Sequence, residues 1–188
     1  MNDLITLFNS VSPLTDAENV LIEEHTYVER IKKGARYCEQ HQICKKMGLV
    51  VEGIFKVVRT NSNGDEYILY FTNEGHFIVD LDSFSNQTPA EEKIEALTAS
   101  TVITLTKSSF DFLEKSIPDF SKIVSRIKEK ALLAKYNLKS EMLVDDAVTK
   151  YNKLVQRQPT VVQRVSQSQI ALFLGITQYT LSRIRAKK

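Results

Sequence analysis

Cysteine is scarce in this sequence. Cys38 and Cys44 are the only two and cannot build a disulfide framework, so a reducing compartment is expected. Long apolar runs are missing as well, and no segment approaches the roughly 20 residues that a membrane-spanning helix needs. Met1-Asn2-Asp3-Leu4 lacks the basic-then-apolar layout of a secretion signal. Together these absences predict a cytoplasmic protein with no membrane partner. No nucleophile–base pair, phosphate loop or zinc-protease motif occurs, so neither catalytic residues nor an enzyme are expected. Excess charge is low too, at +2 over 188 residues, with 43% hydrophobic and 26% charged residues. That suits one moderate globular domain plus a small second one.

The small net charge hides a division. Residues 1–120 carry 11 Lys and Arg against 19 Asp and Glu, whereas residues 121–188 carry 14 against 4. An acidic part joined to a basic one predicts that only the C-terminal part meets a polyanion, nucleic acid or anionic membrane. Charge alone also fits a solvated basic helix face.

Three zones follow along the chain. Leu14, Ala17, Val20, Leu21 and Glu24 fall at helical spacing, with Thr15 or Asp16 available as a cap. The period then changes to short β-branched and aromatic runs: Tyr27–Ile31, Leu49–Glu52, Ile54–Val58, Tyr67–Phe71, His76–Val79 and Thr101–Leu105. Asn63-Gly64 is a hairpin signal in which both residues tolerate positive φ. Many short strands with regular turns indicate an all-β barrel, roll or sandwich. Beyond Lys107 the pattern is helical again. Phe120, Val124, Ile127, Ala131, Ala134 and Leu138 are spaced four, three, four, three, four, a heptad seam predicting a dimer interface. The alternative is a helix packed on its own β domain. Asp145-Asp146 marks a hinge and the cap of a further helix to about Gln156, after which Pro159 begins a connector.

The most informative stretch is Arg164 to Lys188. Ser166 and Gln169 have capping-box spacing; Ile170, Ala171 and Leu174 make an apolar face, and Gly175 supplies the turn after the helix. Thr177 then caps a second helix anchored by Leu181 and Ile184. This is the helix-turn-helix pattern. The second helix presents Gln178, Tyr179, Ser182 and Arg183 outward, and Gln and Arg make bidentate contacts to adenine and guanine edges. Gln167, Ser168, Arg185, Lys187 and Lys188 are placed for phosphates, which position rather than specify.

Through Ile170-Ala171-x-x-Leu174-Gly175-Ile176-Thr177-x-x-Thr180-Leu181-Ser182-Arg183-Ile184-Arg185, the chain resembles the Crp/Fnr family, that of the cyclic AMP receptor protein and the fumarate–nitrate regulator. Gly34, Gly53, Gly64 and Gly75 sit at family-like spacings in the strand-rich zone. The resemblance implies an α+β chain: an N-terminal double-stranded β-helix or β-roll, cyclic-nucleotide-binding-like, over residues 1–118; a dimerisation helix over 119–144; and a helix-turn-helix domain over 145–188 that lacks a full wing. It places Gln178, Tyr179 and Arg183 at base-reading positions, with Thr177 beside them. It also implies a homodimer on double-stranded DNA with a pseudo-palindromic site, and RNA polymerase as a partner.

Two departures follow. The family's cyclic-nucleotide binders carry Phe-Gly-Glu followed by Pro-Arg, whose Glu takes the ribose and whose Arg takes the phosphate. The corresponding stretch, Val79 to Lys93, has acidic residues in place of Gly-Glu and Ala90 or Glu91 at the Arg position. Asp80, Asp82, Glu91 and Glu92 would repel a phosphate, with Lys93 the one nearby cation. The candidate pocket, Asp80, Asp82, Ser83, Glu91 and Lys93, is therefore expected to refuse cyclic AMP and cyclic GMP, leaving a cation, an uncharged metabolite or nothing, and no cofactor. Second, the iron–sulfur branch uses four cysteines, and two cannot hold such a cluster. Cys38, His41 and Cys44 have a Cys-x2-His-x2-Cys spacing that invites zinc with His76 or His25 as a fourth ligand. Packed thiols and a surface imidazole are the stronger reading, so no metal is expected. The function expected is sequence-specific transcription regulation; the alternative is a ligand sensor or adaptor acting mainly through protein partners.

Overall fold

The computed structural model describes residues 3–186. Two short helices, α1 (Asp3–Val11) and α2 (Asp16–Glu24), lead into β1 (Tyr27–Ile31), β2 (Arg36–Cys38), β3 (Lys46–Glu52), β4 (Phe55–Thr60), β5 (Glu66–Thr72) and β6 (Phe77–Ile78). After α3 (Leu81–Asn86) come β7 (Lys93–Ala96) and β8 (Ser100–Thr106). The remainder is helical: α4 (Lys107–Ser116), α5 (Phe120–Val144), α6 (Ala147–Arg157), α7 (Pro159–Arg164), α8 (Gln167–Leu174) and α9 (Gln178–Ala186). None of the described helices is long and apolar enough to cross a membrane.

The strands form two antiparallel four-stranded sheets, β1-β8-β3-β6 and β2-β7-β4-β5. Their facing sides bury Val50, Phe55, Val57, Ile78, Ile94 and Val102 between them. This is the expected β-roll within an α+β chain. β2 and β7, at three and four residues, are too short for alternation to reveal them in the sequence. The hairpin at Asn63-Gly64 is wider than a two-residue turn. Only Gly64 has positive φ there, and the Asn61 side chain accepts from the N–H groups of Asn63 and Asp65.

A second core joins α1 and α2 to the outer face of the first sheet, and it claims the start of the long helix. Phe120 is fully buried, edge-on to Phe8 at 5.7 Å and to Phe110 at 5.3 Å, with Ile123 sealed beside it. Phe120 therefore belongs to the roll and is corrected out of the heptad seam. Val124 and Ile127 lean on the same core, and Leu138 on the C-terminal one. Ala131 and Ala134 stay exposed. The uncovered apolar stripe of α5 is instead Leu132, Leu133, Tyr136, Leu143 and Val144, which are 48–82% exposed.

The chain breaks between α5 and α6 at the paired aspartates. Asp145 ends α5, and Asp146 caps α6 by accepting from the Thr149 N–H at 2.8 Å. Arg157 grips Glu141 with two hydrogen bonds of 2.6 and 2.7 Å, and Lys153 reaches Asp145 at 2.7 Å. Pro159, expected to open a connector, is instead the first residue of α7. Proline suits that position because its missing N–H would have no helical partner there.

A third core binds the C-terminal helices to the roll. Across from the Val57/Val58 step, β5 carries an extra residue, Leu69. A bulge of this kind re-aims side chains. Ile68 and Phe71 thereby join Ile170, Phe173 and Leu174, while Leu69 and Tyr70 face the roll interior. The Phe71 and Phe173 rings lie 5.1 Å apart. Gln158 donates to the Phe71 carbonyl and to Asn73, both at 3.1 Å, and Arg164 bridges to Glu74 at 2.6 Å.

Candidate nucleic-acid interface and roll pocket

The end of the chain folds as its local chemistry dictates. Ser166 caps α8 by accepting from the Gln169 N–H. Only that half of the capping box forms, because the Gln169 side-chain oxygen is buried without a partner. Gly175 ends α8 in the left-handed region (φ 68°), where a Cβ would be strained. Thr177 accepts from the Thr180 N–H at 3.1 Å and starts α9. Leu181 and Ile184, one helical turn apart, are buried against Ile170, Ala171, Leu174 and Val161. Burying that stripe turns the opposite side of α9 outward.

Gln178, Tyr179, Ser182, Arg183 and Arg185 are all exposed, Tyr179 to 72%. The Arg183 guanidinium lies 5.9 Å from the Tyr179 ring, close enough for a weak cation–π contact that pre-orients it. Gln167 and Ser168 are exposed on the first turn of α8. Thr177 is exposed too, but its hydroxyl is committed to the helix cap. Lys187 and Lys188 lie outside the described residues.

The roll pocket differs from the sequence expectation in which groups face inward. Asp82 is on the surface, held by Asn86 at 2.8 Å, and Glu91 is on the surface paired with Arg59. Lys93 is buried but its amine turns to Glu66. Ser83 is structural: its hydroxyl accepts from the Cys44 N–H at 2.8 Å and donates to the Thr88 carbonyl. Of the five expected residues, Asp80 alone holds a position of consequence for an anion. Buried to 6% exposure, it accepts from the Ser83 N–H at 3.0 Å with one oxygen and from the Glu92 N–H at 3.2 Å with the other. The start of α3, where main-chain donors would receive a phosphate, is filled by the chain's own carboxylate.

The inward cation is Lys135, which sequence reasoning missed because it lies on α5. Its stem is open to solvent, while its amine donates to the Tyr70 hydroxyl at 2.7 Å and sits 4.3 Å from that ring's centre. Crowding by the roll lowers the Lys135 pKa, against the pull of Glu92 and Asp80. Burial likewise raises the Glu92 carboxyl, opposed chiefly by Lys135. Burial also raises the Tyr70 phenol, with the Glu92 and Asp80 charges adding to it. An open cleft of about 1380 Å³ runs between α5 and the roll, lined among others by Tyr70, Val79, Phe84, Phe110, Ala131 and Lys135.

The Cys-x2-His-x2-Cys stretch does not converge. Cys38 and Cys44 are buried free thiols in mutual contact, and the hydrogen bond from Cys38 lowers the Cys44 pKa. His41 sits exposed on a left-handed turn (φ 67°). His25 stacks on Phe112 at 4.3 Å, and His76 pairs with the Glu74 carbonyl at 3.0 Å.

Residues 28–116, β1 through α4, match the family model of the cyclic nucleotide-binding domain. A transcriptional regulator of the Crp/Fnr family from Eubacterium rectale superposes with a TM-score of 0.72 at 15% identity, covering 99% of this chain and 87% of that one. The chain has the Crp/Fnr fold. The c-di-GMP responsive global regulator CLP of Xanthomonas campestris gives a TM-score of 0.70 at 16% identity, covering 92% and 91%. The catabolite activator protein of Thermus thermophilus gives 0.59 at 15% identity, covering 96% and 85%. No curated protein matches the sequence. Within the Crp/Fnr fold, β1 to α4 form the cyclic nucleotide-binding-type unit, α5 the long helix, and α8 with α9 the helix-turn-helix.

Proposed function

We propose that this protein is a homodimeric, sequence-specific DNA-binding transcription regulator that acts by binding rather than catalysis. The observation that carries the reading is the outward face of α9. It offers Gln178, Ser182 and Arg183 with no carboxylate partner among the described residues, on a helix whose Leu181 and Ile184 are locked into a core. Helices so presented enter the major groove, where Arg reads guanine and Gln reads adenine. Two copies are needed to read two half-sites, which lie about 34 Å apart on one face of the duplex. The exposed stripe of α5 from Leu132 to Val144 supplies a self-complementary seam for that dimer.

The roll does not answer to cyclic AMP or cyclic GMP. What supports this is Asp80, whose buried carboxylate already takes the Ser83 and Glu92 N–H groups and places a negative charge there. Isothermal calorimetry is expected to show no cyclic-nucleotide binding at micromolar concentrations. An Arg183→Ala variant is expected to lose about 1–3 kcal/mol of preference for its site and to relax base choice at one position. Mobility shifts on specific and random duplexes check this; equal loss on both would remove Arg183 from base reading.

A further inference from the structure

Cys38 and Cys44 take no part in reading DNA, yet the fold brings their thiols into contact inside the roll. Cys38 ends β2, opposite Ile94 of β7, and Cys44 lies two residues before β3. Among the described residues no three His, Cys, Asp or Glu side chains gather to hold a metal ion. The pair is polarised. The Cys38 thiol donates to the Cys44 sulfur, which lowers the Cys44 pKa against burial, and main-chain hydrogen bonds from Asp80 and Lys46 add to the effect. The same bond, together with burial, raises the Cys38 pKa. A thiol buried alone in apolar surroundings stays protonated and inert, whereas one drawn toward the thiolate is a nucleophile.

The chain between the two thiols is a surface loop fastened to α3. His41, Gln42 and Ile43 are exposed. The His41 N–H donates to the Ala90 carbonyl at 2.8 Å, and the Ala90 N–H returns to the Gln42 carbonyl at 2.9 Å. The Cys44 N–H donates to the Ser83 hydroxyl at 2.8 Å, inside α3. Phe84, the next residue, lies edge-on to Phe110 at 5.5 Å, and Phe110 meets Phe120 at the start of α5 at 5.3 Å.

From this geometry we infer that Cys38 and Cys44 are an oxidisable pair, which hydrogen peroxide converts into a disulfide that shifts α3 and, through it, the seat of α5. The chemistry closes on the two thiols and the oxidant. The Cys44 thiolate attacks one peroxide oxygen; an S–O bond forms, the O–O bond breaks, and the departing hydroxide takes up the proton that Cys44 released. Cys44 is then a sulfenic acid, which condenses with a thiol. The Cys38 sulfur attacks the Cys44 sulfur; the S–S bond forms, the S–O bond breaks, and the hydroxyl leaves as water with the Cys38 proton. Two thiols lose two electrons and two protons, and one hydrogen peroxide becomes two waters. A reducing compartment suits such a pair, because disulfides there are transient and redox-sensing. The ring so closed, residues 38–44, carries the main-chain bonds to Ala90 and Ser83, so the new covalent bond acts on α3 directly. Its effect on DNA affinity rests on the DNA-binding reading above.

The test treats reduced full-length protein with hydrogen peroxide, blocks the remaining thiols with N-ethylmaleimide and maps the tryptic peptide 37–45, which holds both cysteines. Both thiols are expected to vanish together, leaving that peptide unblocked and lighter by two hydrogens, and dithiothreitol should restore them. Cys38→Ser should stop at a Cys44 sulfenic acid that dimedone traps, whereas Cys44→Ser should leave Cys38 unoxidised. Amide hydrogen exchange at Ser83, Phe84 and Ala90 should differ between reduced and oxidised wild type. It should not respond to peroxide in Cys38→Ala/Cys44→Ala, a variant that keeps both positions apolar. Affinity for a duplex selected from random sequence should change by about fivefold or more between the two wild-type forms. Thiols that survive peroxide, or that pass to sulfinic acid without a cross-link, would overturn the oxidisable pair. A disulfide that leaves exchange at α3 and DNA affinity unchanged would overturn its reach to α5. Failure of both forms to bind any duplex would overturn the DNA reading, while mass and exchange still decide the disulfide and its effect on α3.

Discussion

At the start of α3 the chain supplies its own anion, the buried carboxylate of Asp80; at the starts of α8 and α9 it supplies only the hydroxyls of Ser166 and Thr177. All three are helix N-termini, where the first main-chain donors lack helical partners and the helix dipole has its positive end. The roll fills that potential internally and adds Lys135 against Tyr70. The helix-turn-helix caps its helices with neutral groups and carries exposed Arg183 and Arg185 on α9. One local device is thus met by the chain's own carboxylate in one region and by neutral hydroxyls in the other.

The comparison can be broken at four points, from the largest expected effect to the smallest. Leu181→Ala empties a fully buried position between α8 and α9 and is expected to cost about 2–5 kcal/mol. DNA binding should fall with it while the roll still melts cooperatively in calorimetry. Asp80→Ala strips the anion from α3 and leaves the Ser83 and Glu92 N–H groups unpaired, for about 1–3 kcal/mol in chemical denaturation. Asp80→Asn should recover most of that, since an amide oxygen still caps. Lys135→Met removes the hydrogen bond to Tyr70 and is expected to cost about 1 kcal/mol. It would also relieve Glu92 of its main opposing charge, so the Glu92 carboxyl should move further up in an NMR titration.

The smallest effect tests the joint between the regions. Burial works against ionising Glu74, yet hydrogen bonds from the Gly53 N–H and Arg164 hold its carboxyl below the usual range. A depressed carboxylate stabilises the fold above its unfolded pKa, and that contribution disappears as pH falls through the depressed folded value. Melting temperature should therefore decline on acidification, and Glu74→Gln should flatten that share of the profile. Because both partners are about one-third exposed, the pair is worth only about 0.2–1 kcal/mol.

Much of the helix-turn-helix was legible because its determinants are local. Ser166, Gly175, Thr177, Leu181 and Ile184 each act within four residues, through caps, a left-handed turn and helical period. Asp145-Asp146 was legible for the same reason. The roll pocket was not, because its deciding contact joins Lys135 to Tyr70 across 65 positions, and nothing in either local stretch announces the other. Asp80 was visible as a carboxylate, but what matters is that it caps α3 rather than repelling from a loop. Phe120 misled for a related reason. Its spacing fits a heptad seam, and only the Phe8 and Phe110 rings, brought in from elsewhere in the chain, show that the position is already filled.

The measurement that bears most directly on the account is selection of random double-stranded DNA by the purified full-length protein, sequenced with and without added cyclic AMP. Enrichment of a pseudo-palindrome with half-site centres one helical turn (about 10 bp) apart is expected, identical in both conditions. No enriched sequence, or enrichment that depends on cyclic AMP, would contradict it.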